Sequence, residues 1–377
     1  MSAYIHELPE WPRFAWDHKK TAGRLATARH RQGLLLGRMG ALGFKINEDA
    51  LLLTLAADVI KSSEIEGEAL DAEQVRSSLA RRLGIDIGGL KPADRQVEGV
   101  VEMMLDATQR YDRPLTADRL FGWHASLFPT GRSGAHPIEA GTWRRDRTGP
   151  MQVVSGPVGR ERVHFEAPPA ERLDDEMRRF LEWFNGDTTT EPVLKAAQAH
   201  LWFVTVHPFD DGNGRIARAV TDLALARSEE SPRRFYSMSA QIRQERSDYY
   251  RILEQTQKGT LDITPWMEWF LDCLTRAIER AQTGLAGVLK TARYWEPLRD
   301  VTLNDRQRLV INRLLEGFEG ALTTSKWAAL TKSSQDTALR DIQQLVERGV
   351  LVRNAAGGRS TSYALAPTFA AIAPTGG

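Results

Sequence analysis

The sequence predicts a mainly α-helical protein: a helical bundle with one small β-hairpin, preceded by an α-helical N-terminal region and followed by a winged-helix domain. Three observations carry that expectation. Apolar residues recur at helical spacing through most of 16–295; one hairpin pattern stands out, MQVVSGPVGRERVHFEAP at 151–168; and the final segment strings three short helices and a two-stranded pattern together. The chain has 377 residues, 42% of them hydrophobic, enough for sizeable cores and two or three domains. The expected divisions are 1–110, 111–295 and 300–368.

The first helical run reads WDHKKTAGRLATARHRQGLLLGRMGALG, from Trp16 to Gly43, and a second follows from Asn47 through Ile60 to Lys61. SSEIEGEALDAEQVRSSLARRLG then reads as a turn and another helix, with Ser63 and Glu66 spaced as a capping box for the helix that follows. Gly84–Lys91 is a glycine-rich break, after which helical patterns resume at Ala93 and at Thr116, a candidate N-cap. The Gly/Pro-rich tract 129–169 holds the hairpin, whose arms flank a turn at Gly156–Gly159. Helices return at Glu171 and from Pro192 to Val206, then from Ile216, around SDYYRILEQTQKG, and in a long run starting at Ile263 with Pro265 in its first turn. In the last segment the second and third helices form a helix-turn-helix, and Gly357-Gly358 marks the tip of the wing.

Composition excludes several function classes. Lys plus Arg (50) balances Asp plus Glu (49), so the whole molecule has no electrostatic reason to seek nucleic acid or anionic lipid. The single cysteine, Cys273, rules out an internal disulfide and a cysteine-based zinc cluster. The N-terminus MSAYIHELPEWPRFAW lacks the basic and apolar regions of a signal peptide, and ALLLTLAADVI is too short and interrupted to cross a bilayer. The expected location is cytoplasmic, with no membrane contact.

HPFDDGNGRIAR, at 207–218, carries the chemistry. It follows the apolar run LWFVTV and feeds a helix, so backbone N–H groups and the helix dipole would collect an anion there. Gly212 and Gly214 around Asn213 allow N–H donors to converge on a pyrophosphate. Arg215 and Arg218, three residues apart, share a helix face and can reach one polyphosphate. Asp211 can hold a magnesium ion bridging phosphate oxygens, and a neutral His207 can take a proton from an incoming hydroxyl.

This segment resembles the Fic signature H-P-F-x-[D/E]-G-N-G-R-x-x-R at every specified position. The resemblance implies a Fic-type helical bundle that transfers AMP from ATP, with Mg2+, to a Ser, Thr or Tyr hydroxyl of a target protein. It implies His207 as the base, Asp211 as the metal ligand, Gly212, Asn213 and Gly214 as the anion hole, and Arg215 and Arg218 as the β- and γ-phosphate contacts. GTWRR at 141–145 and the hairpin resemble the family's flap, so the 151–167 edge would take a target segment by strand addition. DYYRILEQTQKG resembles the adenine-side helix, where Tyr249 and Tyr250 could form an aromatic wall or pack in the core.

SSEIEG, at 62–67, fits the inhibitory pattern [S/T]-x-x-x-E-[G/N] of many Fic proteins through Ser62, Glu66 and Gly67. By that resemblance Glu66 pairs with Arg218 and denies it to the γ-phosphate. The N-terminal region resembles that of bacterial members with the inhibitory helix ahead of the core. Residues 297–377 carry ten Lys plus Arg against seven Asp plus Glu, an excess too small to argue for strong phosphate-backbone binding, so DNA contact and protein docking both stay open. Self-modification and a homodimer also belong to this reading. Its rivals are a nucleotide-sensing transcription regulator and a Fic enzyme that removes AMP or transfers another phosphate-linked group. His124 and His164 read as packing or surface residues rather than catalysts.

Overall fold

A computed structural model describes residues 4–366 except 41–43, 86, 88–89, 148, 157–159, 161, 296–297, 299–300, 316–317, 319 and 355–360. It divides into two compact units, residues 1–281 and 282–377. The helices are α1 (His18–Gly40), α2 (Phe44–Ile65), α3 (Ala72–Leu83), α4 (Arg95–Gln109), α5 (Ala117–Leu127), α6 (Leu173–Gly186) and α7 (Pro192–Val206). They continue as α8 (Asn213–Glu229), α9 (Met238–Gln244), α10 (Arg246–Gln257), α11 (Thr264–Trp295), α12 (Asp305–Leu315), α13 (Thr324–Thr331) and α14 (Gln335–Glu347). Three antiparallel hairpins complete the described residues: β1 (Arg132–Ser133) with β2 (His136–Pro137), β3 (Gln152–Ser155) with β4 (Arg162–Glu166), and β5 (Leu351–Arg353) with β6 (Tyr363–Leu365). No described helix is long and apolar enough to cross a membrane.

The first unit is built around α7 and α8, which pack along one another. Glu191 caps α7 by accepting from the Val193 and Leu194 amides at 2.8 and 3.0 Å, and Pro192 sits in the first turn, where its missing N–H costs nothing. From Val193 to Val206 only Lys195 escapes full burial, so α7 reads as a continuous apolar run rather than an amphipathic stripe. Around this pair lie α2 and α4 against α8, and α6 against α7, with Phe180, Phe184 and Phe203 among the largest fully buried side chains. Thr116 caps α5 as the sequence predicts, accepting from the Arg119 amide.

Two predicted details change at the end of α2. The helix does not stop at Lys61 but runs to Ile65, because Ser62, Ser63 and Ile65 are all buried against the core and keep the helical pattern going. Ser63 therefore sits inside α2 and caps nothing; α3 is capped instead by Asp71, which accepts from the Glu73 and Gln74 amides. The chain reverses at Gly67, whose φ of +85° is open to glycine and strained for other residues. Its amide donates to the Glu64 carbonyl (3.2 Å) and the Glu68 amide to the Ser63 carbonyl (3.0 Å), the paired bonds of a Schellman cap.

The hairpin predicted at 151–168 is present as β3 and β4, with a register shift between Val153 and Val154; residues 157–159 of its turn lie outside the described residues. The helix predicted from Ile216 starts three residues earlier, at Asn213, and the short α9 precedes α10 where the sequence pattern suggests a single helix. The second unit has its own core, centred on Trp327, Val310, Ile311, Ile342 and Leu345, and Arg306 pairs with Asp341 at 2.7 Å across α12 and α14. Its order is α12, α13, α14, then the β5–β6 hairpin, while Gly357-Gly358 lies outside the described residues.

Gly99 marks the closest approach of α4 to α5: a Cβ there would lie 1.8 Å from the Ser126 carbonyl oxygen. Gly99→Ala is expected to lower stability by about 1–3 kcal/mol or more through overpacking, read as a lower thermal midpoint. An unchanged midpoint would show that the two helices can part freely.

Candidate active site

The site forms where α7 ends and α8 begins. His207 closes α7 in the left-handed conformation (φ +51°), its amide bonded to the Phe203 carbonyl at 3.0 Å. Its own carbonyl accepts from Arg144 Nε at 2.7 Å, and that buried guanidinium also donates to the Pro168 carbonyl at 2.5 Å and pairs with Asp146. Arg144 thus fixes the backbone of His207. The imidazole Nδ1 lies 3.2 Å from the Val204 carbonyl, which can only accept, so Nδ1 carries the proton and Nε2 presents a lone pair. Burial of the ring lowers its pKa to about 4, with the Val204 hydrogen bond opposing and Arg144 adding to the shift. The ring is neutral at physiological pH.

The following turn is held by Asn213. Its amide nitrogen donates to the Phe209 carbonyl (2.8 Å) and its oxygen accepts from the Phe209 amide (2.9 Å), so the side chain clamps the loop and leaves only its backbone free for a ligand. Gly212 has φ +78°, and a Cβ there would also lie 2.9 Å from the Phe128 ring. Asp211 Oδ1 accepts from the Gly212 amide at 2.5 Å, and its Oδ2 takes a hydrogen bond from Ser133 on β1. Among the described residues no cluster of three or more metal-ligating side chains exists. A single carboxylate beside an anion site fits magnesium, which is commonly held by one or two carboxylates together with substrate phosphates.

Arg215 and Arg218 project from the first two turns of α8, and their side chains are each 2% exposed. Arg218 donates from Nε to the Ser62 hydroxyl and from Nη2 to the Ser62 carbonyl and Glu66 Oε1, all at 2.8 Å. Arg215 Nη1 donates to Glu68 Oε2 at 2.5 Å, and its guanidinium lies 5.0 Å from the centre of the Phe128 ring. Buried N–H groups remain without a hydrogen-bond partner on both: Nε of Arg215 and Nη1 of Arg218. Glu66 Oε1 also reaches the α8 N-terminus, where a Cβ on Gly214 would lie 2.2 Å from it. A carboxylate therefore stands where an anion bound to that helix end would lie.

The structure thus brings together His207, Asp211, Gly212, Gly214, Arg215, Arg218, Ser62, Glu66 and Gly67. Tyr249 and Tyr250 divide. Tyr249 is 2% exposed, packs against Trp269 and Trp266, and bonds through its hydroxyl to His200 Nε2 at 2.9 Å, so its hydroxyl is committed to the core. Tyr250 is half-buried under Arg246, and burial pushes its phenol pKa up, with Glu66 adding and Arg218 opposing, which places it beside the ion pair. His124 is buried, stacked on Phe209 and beside Asp211, so it packs behind the loop, whereas His164 on the hairpin pairs with Glu254 at 2.7 Å, outside the group around His207.

Sequence reasoning missed four contributors. Glu68 has a signal, a second acid just past Gly67. Arg144 lies in the GTWRR tract, whose hold on His207 is not legible there; Ser133 and Arg246 have no signal at a legible spacing, and Arg246 donates to the Ile65 carbonyl at 2.9 Å and ties down the end of α2. Further back on α2, buried Asp58 accepts from the Ser237 hydroxyl at 2.5 Å, and burial, with Asp222 adding, pushes its carboxyl up to about 7.

Residues 114–225 match the Fic/DOC family model, and residues 4–85 match that of a domain of unknown function, DUF4172. Residues 114–225 therefore form a Fic/DOC domain. It is 28% identical over 226 residues to the protein adenylyltransferase Fic of Drosophila mojavensis and 29% identical over 225 residues to that of Drosophila melanogaster. These alignments cover 59% of this chain and only 40% and 41% of the two relatives. The Fic family protein of Desulfovibrio desulfuricans G20 shares the fold with a TM-score of 0.52 at 21% identity, covering 92% of this chain and 95% of that one. A Fic domain-containing signaling protein from Bacteroides thetaiotaomicron aligns at a TM-score of 0.50 and 21% identity, over 71% of this chain and 98% of its own.

The two Asn213 bonds are what shapes the Fic loop. Asn213→Ala leaves a buried amide and carbonyl of Phe209 unsatisfied and is expected to cost about 2–4 kcal/mol, with faster amide exchange through 207–212. Wild-type stability and exchange in that variant would contradict the clamp.

Proposed function

We propose that this protein is an adenylyltransferase that moves AMP from ATP to a hydroxyl of a protein, and that its resting state is inhibited by Glu66. The observation that carries this reading is the carboxylate on the α8 N-terminus, bonded to a buried arginine that keeps a further N–H unsatisfied. Such a place is built for an anion richer in acceptors than one carboxylate.

In this reading the neutral Nε2 of His207 takes the proton as the target oxygen attacks the α-phosphorus. The bond from that phosphorus to the pyrophosphate oxygen breaks, and the N–H groups at the start of α8 with Arg215 and Arg218 receive the departing charge. Asp211, oriented by Ser133, would hold a magnesium ion against the phosphates, where the ion neutralises their charge. Glu66, while bonded to Arg218, keeps the terminal phosphate out and so holds the α-phosphorus away from the line of attack. The β3–β4 hairpin supplies an edge for an extended target segment, and the 282–377 unit is a docking module for a protein or for DNA.

Labelled AMP transfer in the presence of magnesium tests the reading, with self-modification as the readout. Glu66→Gly is expected to label at least about tenfold faster than wild type, and Glu66→Gly with His207→Ala to lose the signal. Absence of labelling in every form, with ATP still bound, would overturn AMP transfer in favour of another transferred group.

The pH profile follows from the lowered pKa of His207. The base is lost only as pH falls through about 4, so the rate of Glu66→Gly should stay level from about pH 8 down to pH 5 rather than halving near the usual 6.5. A kinetic limb at 6.5 assigned to His207 would contradict the neutral, desolvated ring.

A further inference from the structure

The carboxylate on Arg218 has a counterpart. Gly67 separates two glutamates, and the Schellman turn sends them to different arginines: Glu66 to Arg218 at 2.8 Å and Glu68 to Arg215 at 2.5 Å. Their electrostatic settings match. Both acids sit at the negative end of α2 and both arginines at the positive end of α8, so each charge is unfavourable against its own helix and is stabilised only across the gap.

The two pairs are not equivalent. Arg218 keeps two bonds to Ser62 whatever happens to Glu66, whereas among the described residues Glu68 alone accepts a hydrogen bond from the Arg215 guanidinium. The same Glu68 Oε2 that takes the Arg215 bond also accepts from Gln96 Nε2 of α4 at 3.2 Å. Its amide bond to the Ser63 carbonyl fixes its place in the turn without help from the Glu66 side chain. Removing Glu66 therefore leaves Arg215 occupied.

We infer that Glu68 is a specificity-determining residue that holds Arg215 away from ligands, so that the resting site discriminates by phosphate number. This rests on the nucleotide reading above and extends it. A ligand with one phosphate needs only the N–H groups at the start of α8, where it competes with Glu66 but not with Glu68. A ligand with a second or third phosphate needs the guanidinium groups, and it meets two carboxylates already on them. Two carboxylates on two arginines also define the ligand class: a chain of at least two linked anionic groups. Release of the site is then a two-part event, and the Glu66 contact is one part of it.

Calorimetric titration of the full chain with AMP, ADP and ATP in magnesium tests this. A His207→Ala background prevents turnover. Glu68→Gln keeps the shape and an oxygen for Gln96 while removing the negative charge that holds Arg215, and its unfolding midpoint is recorded alongside. Glu68→Gln should tighten ADP and ATP by about tenfold or more, leave AMP unchanged, and add to the gain from Glu66→Gly. Unchanged ADP and ATP affinities in Glu68→Gln, while Glu66→Gly gains, would overturn the role of Glu68 and leave the nucleotide reading standing. Equal gains for AMP and ADP would replace discrimination by phosphate number with general access. If no folded variant binds any of the three, the nucleotide reading fails and this inference fails with it.

Discussion

The site depends on one interaction: the carboxylates after α2 meeting the arginines at the start of α8. Each partner alone is badly placed. Arginines at a helix N-terminus oppose its dipole, and glutamates at a C-terminus do the same, while the arginine side chains are nearly fully buried. Buried guanidinium groups require partners. The protein supplies them from its own chain, and a polyanionic ligand would supply them from outside.

Much of the surrounding structure holds the two sides of that contact in register. Buried Asp58 bonds α2 to Ser237 ahead of α9, and Arg246 fastens the last carbonyl of α2. On the other side Asn213 clamps the loop by both backbone groups of Phe209, and Arg144 grips the carbonyl of His207. These fixed positions leave the imidazole with one protonated nitrogen against a carbonyl and one bare nitrogen. A base held neutral by desolvation needs no neighbouring carboxylate, and among the described residues none bonds to it.

The helical class, the long buried α7, the hairpin and the glycine-rich turn into α8 are all legible in the sequence, because period, glycine placement and paired arginines are local signals. The Glu66–Arg218 pair is also legible, through resemblance. What is not legible is tertiary. The helix end at Ile65 rather than Lys61 depends on burial of Ser62 and Ser63 against elements far along the chain, and the Ser63-x-x-Glu66 spacing imitates a cap that the fold places at Asp71. Asn213 reads as a ligand contact in the sequence because its clamp on Phe209 cannot be inferred from spacing. Tyr249 suits ligand and core equally until its hydroxyl is placed on His200. Glu68 stands in plain view, but only the turn geometry at Gly67 shows that it faces a different arginine from Glu66.

Whether the glutamates occupy the place of a bound polyphosphate is tested most directly by thermal unfolding of wild type and Glu66→Gly with and without ATP and magnesium. Removing Glu66 should lower the midpoint in buffer, since Arg218 loses a charged partner, and ATP should raise the variant's midpoint more than that of wild type. An equal rise in both proteins would mean that carboxylate and nucleotide do not compete, and would contradict a glutamate standing in the phosphate site.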